Sequence, residues 1–180
     1  EERVMAIKSE KEINLLAQAG ELTGILFNGL IENWQNFKTE LDAVQFLKTN
    51  MAILGLEPSF TPIVASGKNA ANPHHNFADT SIQKGFCVID MGVRYKGYCS
   101  DMTRTIFVGK PNAEEKKLYN RILEVQEQTI ELIKPGIEIK KLDKFCRNKL
   151  GAKLNKEFIH SLGHGLGTQV HEWPRVSAHV

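Results

Sequence analysis

The chain has 180 residues, 42% of them hydrophobic and 24% charged, which suits one sizeable domain and is too apolar for disorder. Lys and Arg number 23 against 21 acidic residues, a net charge of +2, and so even a balance gives no electrostatic reason to expect nucleic acid or a membrane surface as partner. No apolar stretch approaches the length of a membrane span, and the opening residues lack the pattern of a signal peptide.

Ser9 and Glu12 form a capping box, with a hydroxyl at the N-cap and a carboxylate three positions on. Ile13, Leu16, Ala17, Ile25 and Leu26 then recur at helical spacing, which predicts a helix to about Leu30. Thr39 and Asp42 mark a second helix start, and Gly55 and Pro58 close that helix. A short strand is expected over Phe60 to Ala65, and residues 66–84 read as a polar loop rich in Asn and Gly. Phe86 to Ile89 reads as an apolar strand that runs into Asp90. Val93 to Tyr98, turned at Lys96 and Gly97, and Met102 to Val108 read as antiparallel strands. Asn112 and Glu115 cap a third helix, which Pro135 and Gly136 end. Ile139, Leu142, Phe145, Cys146 and Leu150 mark a fourth, with Gly151 at its C-cap. A strand near Phe158 to Ser161 and a glycine-rich run complete the order. Helix, helix, strand and hairpin are followed by helix, helix and strand, as in an architecture repeated twice with its second copy cut short.

Cys87, Cys99 and Cys146 form no CxxC, and their odd number argues against a disulfide framework. Cys87 and Cys99 stand in apolar or aromatic surroundings and read as buried free thiols, from which a reducing, cytoplasmic setting is expected.

Asp90 ends an apolar run. An ionised carboxylate buried there needs a cation or a cluster of hydrogen bonds, although a turn aspartate ahead of Gly92 is the plainer alternative. Asp101 lies eleven positions on, across a turn that lets two strands bring the carboxylates to one sheet. Two neighbouring carboxylates stay ionised together when a cation lies between them, while a pair between Asp101 and Arg104 is the alternative. Oxygen ligands suit Mn, Mg or Ca, and with an added imidazole they suit Zn or Co. That imidazole is sought among His160, His164 and His171, spaced by four and by seven residues around Gly163, Gly165 and Gly167. The run lacks the phosphate-binding glycine patterns and HExxH, and its glycines make a helix poor there. His74, in the loop before Asp90, is a candidate proton donor or oxyanion stabiliser.

The segments SGKNAANPHH, VIDMGVRYKGYCSDMTRTIFVG and HSLGHGLGTQVHEWPRVS resemble those of Xaa-Pro aminopeptidases and prolidases. These belong to the wider pita-bread metallopeptidases, which include methionine aminopeptidase and creatinase. The resemblance implies an α+β pita-bread fold, an antiparallel sheet covered by helices. It implies Asp90, Asp101 and His164 as three of five metal ligands, His74 and His171 as catalytic histidines, and His160 as a substrate-side histidine. The cofactors implied are two divalent metal ions, Mn or Co first and Zn next. The activity implied is hydrolysis, by a metal-bridged hydroxide, of the bond between an N-terminal residue and proline. The partner implied is therefore a peptide with proline at its second position, and a homodimer is left open. HSLGHG and NPHH favour the Xaa-Pro branch over methionine aminopeptidases, and the metal-ligand aspartates set the chain apart from creatinase. Methionine aminopeptidase and a non-catalytic peptide-binding module of the same fold remain the alternatives. The family's two further ligands are glutamates of a second hairpin. Residues 1–180 are accordingly expected to be a catalytic domain without that hairpin and without the N-terminal domain common in the family. Glu172 does not stand in the context of either glutamate.

Overall fold

The computed structural model describes residues 2–73, 75, 76 and 79–178, so His74 lies outside the described residues. In chain order the elements are α1 (Glu2–Met5), α2 (Glu10–Glu32), α3 (Glu40–Ile53), β1 (Glu57–Pro58) and β2 (Ile63–Ser66). There follow β3 (Gly85–Met91), β4 (Val93–Tyr95), β5 (Tyr98–Cys99) and β6 (Met102–Val108), then α4 (Ala113–Glu131), α5 (Ile139–Glu157), β7 (Gly163–Gly165) and β8 (Glu172–Val176). The chain forms two compact units. The first holds residues 7–110 with 166–170, the second residues 1–6, 111–165 and 171–180.

In the first unit, α2 begins at the predicted capping box, where the Glu12 carboxylate accepts the Ser9 N–H at 2.8 Å. Its buried residues Ala19, Thr23, Leu26 and Leu30 recur every three or four positions and so share one face. Thr39 and Asp42 form a second capping box for α3, whose buried side includes Ala43, Val44, Leu47 and Met51. These faces cover one side of the antiparallel sheet β2-β3-β6. Along β3, Cys87, Ile89 and Met91 alternate into that core, while Val88 and Asp90 take the opposite face. Each large apolar side chain buried this way contributes roughly 1.5–3 kcal/mol. Asp90 is thus half-buried on the outer face and not sealed in the core. The strand expected over Phe60 to Ala65 forms three residues later, at β2, where Ile63 pairs with Asp90 and Ser66 with Cys87.

In the second unit, Asn112 and Glu115 cap α4 reciprocally as predicted. α5 breaks at Gly151 (φ 79°, ψ 166°), the position expected to end it, and helical residues resume to Glu157. Phe158 to Ser161 is not a strand. Arg147 takes the carbonyls of Phe158 (2.8 Å) and His160 (2.7 Å), so a side chain satisfies the backbone that a ladder would otherwise have satisfied. The glycine run, where a helix was read as poor, contributes β7, which pairs antiparallel with β8 through a bulge between His164 and Gly165. Leu118, Ile122, Ile130 and Ile133 of α4 and the residues just after it are exposed. Cys87, Cys99 and Cys146 are free and buried, as read for the first two.

Candidate functional site

Asp90 stands opposite Thr103 in the β3–β6 ladder, and the Thr103 hydroxyl donates to its Oδ1 at 2.8 Å. Met91 pairs with Met102, so Asp101 directly precedes the paired part of β6, two residues before Thr103. Across the ladder Thr103 shares the face of Asp90, and Asp101 lies two positions before it, outside the strand. Gly92 sets the approach of the two segments. A Cβ there would lie 2.0 Å from the Ser100 carbonyl oxygen and 2.8 Å from its carbon. Ser100 is in turn fixed from three sides. Its N–H donates to Val93 O at 2.8 Å, its Oγ accepts the Val93 N–H at 2.8 Å, and the same Oγ lies 2.6 Å from Thr23 Oγ1.

The histidines are placed by the β7–β8 pair. His164 lies opposite Arg175, and Gly165 lies where a Cβ would meet Trp173 O at 2.3 Å. His164 Nδ1 is 2.9 Å from Gly165 O. A carbonyl only accepts, so Nδ1 is the donor in this contact. A backbone carbonyl on one ring nitrogen commonly fixes a ligand histidine in this way. The rings of His164 and His171 meet edge to face with centroids 4.3 Å apart. His160 is exposed, donates Nδ1–H to Ser161 O at 2.7 Å and packs against Phe158.

Residues 14–179 match the model of metallopeptidase family M24. The chain belongs to that family. It is 43% identical to the Xaa-Pro dipeptidase of Pyrococcus horikoshii over 174 residues, covering 95% of this chain and 50% of that protein. Among solved structures it is similar to a prolidase from Thermococcus sibiricus (TM-score 0.93, 37% identity, 98% of this chain and 49% of that one). It is also similar to an X-Pro aminopeptidase from Thermotoga maritima (TM-score 0.89, 34% identity, 98% and 51%). The chain spans about half the length of these relatives. The pita-bread fold expected from the motifs is thereby established.

For an M24 chain, divalent cations are the implied cofactors, and the donor chemistry fits them. Asp90 and Asp101 would offer hard oxygens and His164 an imidazole nitrogen, donor types that suit divalent cations. Among the described residues, no three His, Cys, Asp or Glu side chains are gathered into a metal cage.

Motif reading did not single out Arg175. It lines a cavity of about 290 Å³ with Arg147, Phe158, Ile159, His160, Ser161 and Ser177. Arg147 is engaged with Asp143, Asn155 and the two carbonyls already named. With Arg147 paired to Asp143, Arg175 is the lining guanidinium left to face an anionic group there. The signal lay in the sequence as an arginine four residues after His171, but only the β7–β8 register places it opposite His164.

Proposed function

We propose that the full-length protein is a metal-dependent exopeptidase that cleaves the bond between an N-terminal residue and proline. The observation that carries this is the M24 match over residues 14–179 in a chain that retains Asp90, Asp101 and His164 at motif positions. Its relatives named Xaa-Pro dipeptidase and prolidase support the substrate class. Asp90, Asp101 and His164 are the ligands this chain contributes to two divalent cations, Mn or Co. The motif carries that assignment. The reading also makes residues 1–180 part of one catalytic domain, with the remaining ligands supplied by chain outside them. The three buried free thiols favour a reducing, cytoplasmic setting.

Bound cations supply Lewis acidity at the scissile carbonyl and acidify a water. The work of this chain is to place charge and protons around that chemistry. Asp90 and Asp101 contribute two negative charges, with Thr103 holding the Asp90 carboxylate from the strand beside it. His171 and His74 donate to the carbonyl oxygen as it becomes anionic, a contact worth about 3–4 kcal/mol when preorganised. His160 and Arg175, on one cavity wall, orient the carboxylate of a short substrate, which favours a dipeptide over a longer chain.

The test uses the full-length protein stripped with a chelator, then reloaded with Mn or Co and offered Ala-Pro and Met-Ala. Metal-restored hydrolysis of Ala-Pro is the expected result. Preference for Met-Ala would make it a methionine aminopeptidase. A protein that binds neither metal and cleaves neither peptide would be a binding module.

A further inference from the structure

The SGKNAANPHH segment contains more residues than the proposed reaction uses, and its Ser66, Asn69 and His75 converge on one carboxylate. Glu40 is the first residue of α3 and is fully buried. Its Oε1 accepts the Ser66 N–H at 2.7 Å, the Ser66 hydroxyl at 2.8 Å and the Asn69 amide at 3.1 Å. Its Oε2 accepts Asn69 Nδ2 at 3.3 Å and His75 Nε2 at 2.7 Å. A carboxylate is an acceptor only, so His75 presents Nε2–H to it. Ser66 Oγ also accepts the Gln83 N–H at 2.9 Å.

The backbone around Glu40 holds the far end of the same loop. Glu40 N donates to Thr80 O and Ile82 N donates to Lys38 O, both at 2.9 Å. Gly67, at φ +56°, lets the two ends pass, since a Cβ there would lie 2.7 Å from Gln83 Cβ. An ionised carboxylate removed from water costs several kcal/mol unless its lone pairs are filled. Filling them with three loop residues ties that stabilisation to a single path of the loop. The amino end of α3, where the helix dipole is positive, favours the charge further.

We infer that Glu40 is a positioning residue for His74, holding through Ser66, Asn69 and His75 the loop that presents the catalytic imidazole. The inference rests on the role given to His74 under the proposed function. His75 follows His74 directly in the chain. A misplacement of a catalytic group by about 1 Å costs up to roughly 100-fold in rate.

The test is a double-mutant cycle in the metal-loaded full-length enzyme on Ala-Pro. Asn69→Ala and His75→Ala, at the less buried rim, accompany Glu40→Gln, which carries the larger risk of misfolding. Each variant is made with His74 intact and with His74→Ala. Expected is a fall in kcat of about 10–100-fold, with KM and metal content little changed, that vanishes in the His74→Ala background. Equal losses in both backgrounds, or unchanged kcat in the rim variants, overturn the inference alone. A silent His74→Ala, or a wild-type enzyme without Ala-Pro activity, overturns the functional reading and this inference with it.

Discussion

Gly92→Ala isolates the close approach of Gly92, two residues after Asp90, to Ser100, the residue before Asp101. The added Cβ lies 2.0 Å from the Ser100 carbonyl oxygen, roughly 1 Å inside the closest approach that a Cβ tolerates. The obstacle is backbone, so no rotamer change relieves it. Phe60 Cε1, at 3.2 Å from the added Cβ, crowds it further. Overpacking of this kind costs about 1–3 kcal/mol. Moving Ser100 also opens its buried bonds to Val93 and Thr23, and each buried group left unsatisfied costs about 1–3 kcal/mol. A loss of about 3–5 kcal/mol follows, a large share of the 5–15 kcal/mol that typically holds a domain together. Urea unfolding measures this directly, with Gly20→Ala as the control. Gly20 is exposed on α2 with nothing within 4 Å of the added Cβ, so its alanine stabilises by about 0.5–1 kcal/mol. A Gly92→Ala protein within about 1 kcal/mol of wild type would refute the close approach.

Two further outcomes test the buried charges. Burial alone would raise the proton affinity of Glu40. The Ser66 N–H, the Asn69 amide, the Ser66 hydroxyl and the His75 imidazole outweigh it and hold the carboxyl below its ordinary range. A depressed folded value stabilises the protein above the unfolded value near 4.3 and stops doing so as pH falls through the folded one. Wild type therefore loses stability below about pH 4, and Glu40→Gln shows a shallower acid limb in pH-dependent unfolding. Arg147→Leu leaves Asp143, fully buried, with Ala178 N as its remaining described partner. About 3–5 kcal/mol is lost, and Asp143→Leu added to Arg147→Leu recovers the part due to the unpaired buried charge, as urea midpoints will show.

Local signals were legible where local chemistry decides. The capping boxes at Ser9, Thr39 and Asn112 all form, because an N-cap and its carboxylate lie within one turn. Met102 to Val108 is a strand over the range read from its pattern. The misreadings arose where distant residues decide. Phe158 to Ser161 has a strand-like composition, but Arg147 on α5 claims its carbonyls. Gly163 to Gly165 form β7, because Gly165 permits close approach to the β8 backbone. Glu40 reads as an ordinary first-turn acid, and only the return of the chain at Ser66 and His75 shows that it is buried. Of the site, Asp90, Asp101, His160, His164, His171 and His74 were named from their motifs. Arg175 and the Ser100 tie depend on register and were not.

Cation binding by the full-length protein tests the central claim most directly. Mn is titrated calorimetrically into the chelator-stripped protein and into its Asp90→Asn, Asp101→Asn and His164→Gln variants. The account predicts two sites per chain in wild type and a clear loss of affinity or stoichiometry in each variant. Wild-type binding in all three variants would contradict it.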